Sequence, residues 1–352
     1  MSDSTGARVP LSVLDLATVR EGHTSADALR GTTHIAQTAD ELGYARFWVA
    51  EHHNMPAVAS TSPPVLIAHV AANTQRIRVG SGGVMLPNHA PFVVAEQFAL
   101  LEGLYPGRID LGIGRAPGTD QATAAALRGG SPHVAVEQFP DHLGMVLALL
   151  GDDRIPPEPI ARLRATPVPE TYPDVWMLGS STYGAQVAAA LGLPFGYAYH
   201  FAMGGNLDAA VELYRNGFQP SPRLTRPHLM ISASVLAADT RQEAEFLAGP
   251  SRIMALSLRT GRLGPIVSPE AAAAYEPSPL DRSVLDQLPG TQYVGTADEV
   301  VAGLDALVAR TGADELMLAG AVYDPATRQD TLRLVAREWG LPNRRGLTRA
   351  AA

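Results

Sequence analysis

Residues 76–120 read RIRVGSGGVMLPNHAPFVVAEQFALLEGLYPGRIDLGIGRAPGTD, and this stretch decides the fold. An apolar strand-like run at 79–85 leads through PNHAP into a helix-period segment at 92–104. A second apolar run follows at 109–113, then a second loop. Both runs carry glycines at their carboxyl ends, where α/β folds place their chemistry. Gly82 and Gly83 let the backbone approach a flat ligand closely, and Arg115 stands where it can hold a phosphate.

The same alternation extends in both directions. Strand-like runs fall at 10–14, 47–50, 79–85, 109–113, 175–178, 196–199, 229–236 and 315–318. Helix-period segments fall between them at 26–42, 65–74, 92–104, 184–191, 208–216, 241–258 and 298–310, and a last one at 326–338 closes the chain. Eight buried runs, each followed by a helix, predict an α/β fold of the (β/α)8 TIM-barrel type, with all 352 residues in one domain. The doubly wound sheet is the competing topology, and the count of eight favours the barrel.

Two segments break the rhythm: 151–172, an insertion before strand five, and 261–290, after helix seven. A loop as long as the second is either a lid over the site or a plain surface insertion, and both readings stand.

Composition narrows the class. Hydrophobic residues make up 46% and charged residues 18%, enough for a large core. A net charge of −8 with no basic run argues against nucleic acid or an anionic membrane as partner. With no cysteine there can be no disulfide, thiolate metal site or cysteine nucleophile. No signal peptide and no membrane-spanning apolar run is evident, so a cytoplasmic protein is expected.

Several polar groups gather at the carboxyl ends of the strands. Glu51, His52 and His53 end strand two, where a histidine can serve as a base near neutral pH or merely cap the strand. Alternation puts Glu51 and His53 on one side and His52 on the other, without saying which side is the pocket. Adjacent strand histidines point apart and lack the i, i+4 helical spacing, so no metal site is expected. GIGRAPG at 112–118 has the wrong spacing for a dinucleotide fingerprint, and Pro117 sits inside the turn. Gly114 instead leaves room for a ring system beside Arg115, whose alternative is a surface pairing with a nearby acid. Ser180, Ser181 and Gly184, in GSSTYG at 179–184, open a helix, as an anion site or as simple capping. His89 and His200 lie at the same end and are read equally well as ligand contacts or structural groups.

Four ordered motifs, FWVAEHHNMPAVASTSPP, RIRVGSGGVMLPNHAPFVVAEQ, GRIDLGIGRAPGTD and LGSSTYGAQVAAALGLPFGYAYHF, span about residues 44 to 201. In these the chain resembles the bacterial luciferase-like flavin monooxygenases, in particular the short single-chain members. The resemblance implies a barrel that uses reduced FMN, supplied by a separate flavin reductase, and O2 to oxygenate a small organic substrate through a C4a flavin peroxide. It implies a non-proline cis peptide at Gly82-Gly83 beneath the flavin, and a phosphate held by Arg115 and Ser181 with the backbone near Gly184. It assigns His52 as the catalytic histidine, places Tyr199 near the flavin, and implies a homodimer built on helices of the early half of the barrel. Gly114 stands where luciferases carry a reactive cysteine. Relatives that use the deazaflavin F420 for hydride transfer, and non-catalytic flavin-binding relatives, are the alternatives.

Overall fold

The computed structural model describes residues 8–128, 136–154, 162–201, 206–288 and 292–342. Nine strands form one all-parallel sheet: β1 (Leu11–Asp15), β2 (Arg46–Val49), β3 (Arg78–Met85), β4 (Ile109–Gly114), β5 (Asp174–Gly179), β6 (Phe195–Tyr197), β7 (Leu229–Ala237), β8 (Gln292–Gly295) and β9 (Glu315–Ala319). Strands β1 to β6 lie in sequence order, β6 pairs with β7, β7 with β9, and β9 with β1, which closes a ring of eight. This is the (β/α)8 barrel expected from the alternation. The ninth strand was not anticipated. β8 is only four residues long and pairs with the last part of β7, Ser234–Ala237, outside the ring.

Side-chain parity sorts the core into two layers. Phe47, Val49, Val79, Ile109 and Leu111 point outward and join the main cluster, which includes apolar residues of the surrounding helices. Leu14, Trp48, Ala50, Trp176, Met230, Met317 and Ala319 point inward and fill the barrel. Trp48 and Trp176 meet edge to face with centroids 5.3 Å apart. Two indoles need space, and β3 supplies it: a Cβ on Gly82 would lie 2.6 Å from Leu14 Cδ1 and 3.2 Å from Trp48 Cβ. The amino-terminal floor of the barrel is closed by charge. Asp110, wholly buried, accepts from Arg46 at 2.8 Å, Arg78 at 2.6 Å and Trp48 Nε1 at 2.9 Å. Glu315 accepts from Arg46 and Ser12 beside it. Conserving charge balance there is a matter of stability, and the opposite face is left for function.

The first three helices, α1 (Ser25–Leu42), α2 (Pro63–Ala72) and α3 (Pro91–Leu104), follow β1, β2 and β3. A capping box between Thr24 and Asp27 starts α1, and Gly43 in the left-handed region (φ 83°) ends it. Proline occupies the first turn of α2 and α3.

The long excursion between β4 and β5 begins earlier than the composition suggested, because helices Gln121–Arg128 and Phe139–Leu149 precede the proline-rich part. Of 261–290, residues 289 and 290 lie outside the described residues. The rest carries helices Pro269–Ala273 and Pro279–Asp286. It is pinned at Ile266, whose amide donates to Val19 O at 2.9 Å and whose carbonyl accepts from Glu21 at 2.9 Å. Among the described residues no helix is long and apolar enough to cross a membrane.

Candidate active site

At the carboxyl end of β2 the inward row of Arg46, Trp48 and Ala50 continues to His52, and the outward row of Phe47 and Val49 continues to Glu51 and His53. The ambiguity of parity is thereby resolved: His52 shares the side of the barrel interior. Its Nδ1 lies 3.1 Å from Gly118 O in the loop after β4. A carbonyl only accepts, so Nδ1 carries the hydrogen and Nε2 keeps the lone pair. Burial holds the His52 imidazole below its ordinary pKa, against the raising influence of Gly118 and Glu51. A neutral base with a fixed tautomer results.

Glu51 turns the other way and is wholly buried. Its Oε1 accepts from His53 Nε2 at 2.9 Å and His89 Nε2 at 2.8 Å, and its Oε2 accepts from the Met85 amide at 3.0 Å. Burial pushes this carboxyl up, but the hydrogen bonds from His89, His53 and Met85 outweigh it and hold the group ionised. The ligand atoms of Glu51, His53 and His89 lie within 4.8 Å of one another, a donor set suited to a divalent ion. Strand spacing did not reveal this cluster, since its third member comes from the next loop. Both carboxylate oxygens already accept N–H groups, so the cluster is complete as a hydrogen-bonded brace between the loops after β2 and β3. Asn88 extends it by donating to Pro117 O at 2.9 Å, and Thr119 Oγ1 donates to His53 O at 2.7 Å.

Across the mouth, helix Thr182–Leu191 follows β5 with Ser181 as its N-cap. Ser181 has extended cap geometry (φ −143°, ψ 169°), yet its hydroxyl makes no capping hydrogen bond. Simple capping is therefore not what this serine does. β4 and β5 are paired neighbours, and Arg115, just past β4, reaches the first turn of this helix. Its Cζ lies over the Tyr183 ring, 3.8 Å from the centroid. Among the described residues Arg115 has no carboxylate partner and no hydrogen bond. A half-buried arginine stacked on a first-turn tyrosine, an N-cap serine whose hydroxyl makes no capping bond and the amides of that helix's first turn make a donor set matched to a phosphate dianion.

Comparison with known proteins agrees with this architecture. Residues 9–315 match the model of the family described as luciferase-like monooxygenase. A protein of that name from Escherichia coli (strain K12) is 42% identical over 339 residues, covering 95% of this chain and 97% of its own. This chain belongs to the luciferase-like monooxygenase family. The N-acetyl-S-alkylcysteine monooxygenase of Bacillus subtilis (strain 168) is 39% identical over 267 residues, 76% of this chain and 79% of that one. Among solved structures, apo-MsnO8 superposes with a TM-score of 0.87 at 35% identity, covering 96% and 99% of the two chains. More distant chains share the fold alone: the oxygenating constituent of 3,6-diketocamphane monooxygenase in complex with FMN (TM-score 0.68, 18% identity) and an F420-dependent secondary alcohol dehydrogenase (0.67, 13%).

The monooxygenase brings most of the residues singled out from its sequence to this one face. The Gly82-Gly83 peptide is cis, as the resemblance implied. A Cβ on Gly83 would stand 2.8 Å from the Gly112 carbonyl oxygen, so neighbouring backbone already requires glycine there. A Cβ on Gly114 would meet only the flexible Met85 side chain (Sδ at 3.1 Å) and more distant atoms. Ser180 is half-buried, its carbonyl accepting from Tyr197 OH at 3.2 Å, and Gly184 is buried against Phe195.

Tyr199 does not join this group. β6 ends at Tyr197, and a single 3-10 turn, Tyr199–Phe201, follows. In that turn Tyr199 packs on the outer core cluster, near Tyr197 and Arg310, while His200 comes within electrostatic reach of His52. The strand was expected to run through 199. It ends early because the chain bends over the barrel mouth, and the bend exchanges the two side chains. Ser232 Oγ donates to Tyr197 O at 3.2 Å and lies 2.6 Å from His200 Nδ1. Having spent its one hydrogen, that hydroxyl accepts from Nδ1–H, which fixes this imidazole as the same tautomer as His52.

Proposed function

We propose that this monooxygenase takes reduced FMN from a separate flavin reductase in the cytoplasm and uses O2 to oxygenate a small organic substrate. Reduced FMN supplies two electrons to O2, so that one oxygen atom enters the substrate and the other leaves as water. The observation that carries this reading is the Arg115–Ser181 cradle, a cation without an acid partner beside an N-cap hydroxyl without a capping bond. A phosphate monoester satisfies both at once.

Arg115, Ser180 and Ser181, with the amides near Gly184, hold the phosphate. The Gly82-Gly83 backbone lies beneath the ring system, and Gly114 keeps that wall free of a side chain. His52 faces the pocket with Nε2 unprotonated. It accepts a proton at that atom, while the Gly118 carbonyl keeps the imidazole from rotating. The aromatic filling of the barrel excludes water from below, and the segment 261–290, anchored at Ile266, serves as the cover from above. Two copies associate through α2 and α3, whose outward faces carry exposed apolar residues.

Purified apo-protein titrated anaerobically with reduced FMN and with reduced F420 tests the cofactor. Tighter binding of FMN, weakened in Arg115→Ala, is the expected result. Preference for F420, or indifference to Arg115, would overturn it.

A further inference from the structure

Among the described residues there are six cation–aromatic contacts, and the one between Arg115 and Tyr183 is the shortest, at 3.8 Å. It is also the contact in which the arginine has no other hold. Arg46, Arg108 and Arg223 all donate to carboxylates, hydroxyls or carbonyls, and Arg8 and Arg20 have acid partners. Arg115 has neither among the described residues, so the Tyr183 ring is what keeps its guanidinium from sweeping through solvent. The ring is a rigid platform, because Tyr183 sits in the first turn of helix Thr182–Leu191 and packs against the main core cluster. That same turn begins at Ser181, so the platform and the serine hydroxyl move as one body.

We infer that Tyr183 is a positioning residue that fixes Arg115 over the helix N-terminus and thereby sets the preference for a phosphorylated flavin over an unphosphorylated one. This rests on the cofactor reading above and adds to it a residue that touches no part of the ligand. An arginine side chain free to rotate loses much of its conformational entropy when it grips a phosphate. A guanidinium already stacked on an aromatic face has surrendered part of that freedom before the ligand arrives. The face of the ring takes the stacking, and the in-plane N–H fork stays available to oxygens. Loss of the ring therefore weakens the phosphate contact specifically, leaving the isoalloxazine contacts at β3 and β4 unchanged.

The test is anaerobic titration of the full-length apo-protein with reduced FMN and, separately, reduced riboflavin, which lacks only the phosphate. Tyr183→Leu is expected to weaken FMN binding roughly three- to thirty-fold, the range of a cation–aromatic contact, with riboflavin affinity unchanged. Retained riboflavin binding also shows that the variant is folded. Tyr183→Phe, which keeps the ring and removes the hydroxyl, should behave like the parent protein. In an Arg115→Ala background, Tyr183→Leu should cause no further loss, because the tyrosine acts only through the arginine. Equal losses for FMN and riboflavin, or a loss that persists without Arg115, would overturn the role of Tyr183 and leave the cofactor reading standing. A parent protein that binds the two flavins equally well would remove the phosphate cradle, and this inference with it.

Discussion

His52 Nδ1 lies 3.1 Å from the carbonyl oxygen of Gly118, so the loop after β4 decides which nitrogen of the β2 histidine carries hydrogen. His52 N donates to Ser60 O at 3.0 Å and His53 N faces Gly118 O at 3.4 Å, which secures the backbone on either side. Under the proposed function the base is therefore Nε2. His52→Ala should lower turnover about 10²- to 10⁴-fold on any substrate the enzyme accepts, with reduced-FMN affinity changed little. His52→Asn, whose amide can still donate to Gly118, should be equally slow. An asparagine variant with near-normal turnover would show that this residue only ties loops together.

The histidine in the 3-10 turn after β6 carries a pH dependence of stability. Burial pushes His200 down to about 4, and the nearby His52 adds to the effect. Glu51 and His53 are the other titratable groups acting on His52. Between about pH 6.5 and 4 the unfolded chain then binds a proton at His200 that the folded protein refuses. Stability from this group is complete above about pH 6.5 and is lost as pH falls toward 4, by on the order of 3 kcal/mol. His200→Gln has no such group to titrate. Urea unfolding at pH 7 and pH 4.5 should show a smaller drop for the variant than for the parent, and equal drops would refute the assignment.

Glu51 accepts from His53, His89, the Met85 amide and, at 3.5 Å, Asn88 Nδ2, so its removal is a structural event before it is a chemical one. Glu51→Ala leaves the Met85 amide and two imidazoles without their acceptor and should cost about 2–4 kcal/mol. Glu51→Gln keeps an acceptor oxygen for the histidines but turns an amide nitrogen toward the Met85 N–H, and should cost roughly half as much. Denaturant midpoints of the two variants decide this. If Glu51→Ala unfolds with the parent midpoint, the brace carries no stability.

What the sequence disclosed, and what it withheld, divides along physical lines. The barrel was legible because strands buried on both faces are written as continuous apolar runs, each separated by a helix period. β8 escaped because four residues, QYVG, paired on one side only need no such run. Arg115, Ser181 and the glycines were legible as donors and gaps at strand ends, since local chemistry sufficed. The inward facing of His52 was not, because alternation gives relative sides only. The Glu51–His53–His89 brace needed two loops folded together, and Tyr183 looked like any helix residue until Arg115 was found above it. The exchange of Tyr199 for His200 follows from a single 3-10 turn, which leaves little trace in a periodic pattern.

The surface of α2 and α3 makes the last prediction. Both helices are apolar on nearly all sides, which is the pattern of a helix buried by something on every face. Yet Val93, Leu100 and Leu104 of α3 are 47%, 49% and 57% exposed, and Val65 of α2 is 70% exposed. The spacing 93, 100, 104 is seven and then four residues, which places the three α3 side chains in one stripe, and α2 packs beside it. Under the proposed function, these exposed apolar side chains are where two copies meet by twofold symmetry. Because these helices lie outside the barrel wall, a charge placed there should separate the copies and leave the cofactor cradle intact. Leu104→Glu combined with Val65→Asp is expected to halve the mass measured by light scattering and to keep reduced-FMN affinity within about threefold. A parent protein that already runs as a monomer, or a variant that stays dimeric, would show that α2 and α3 are not the contact.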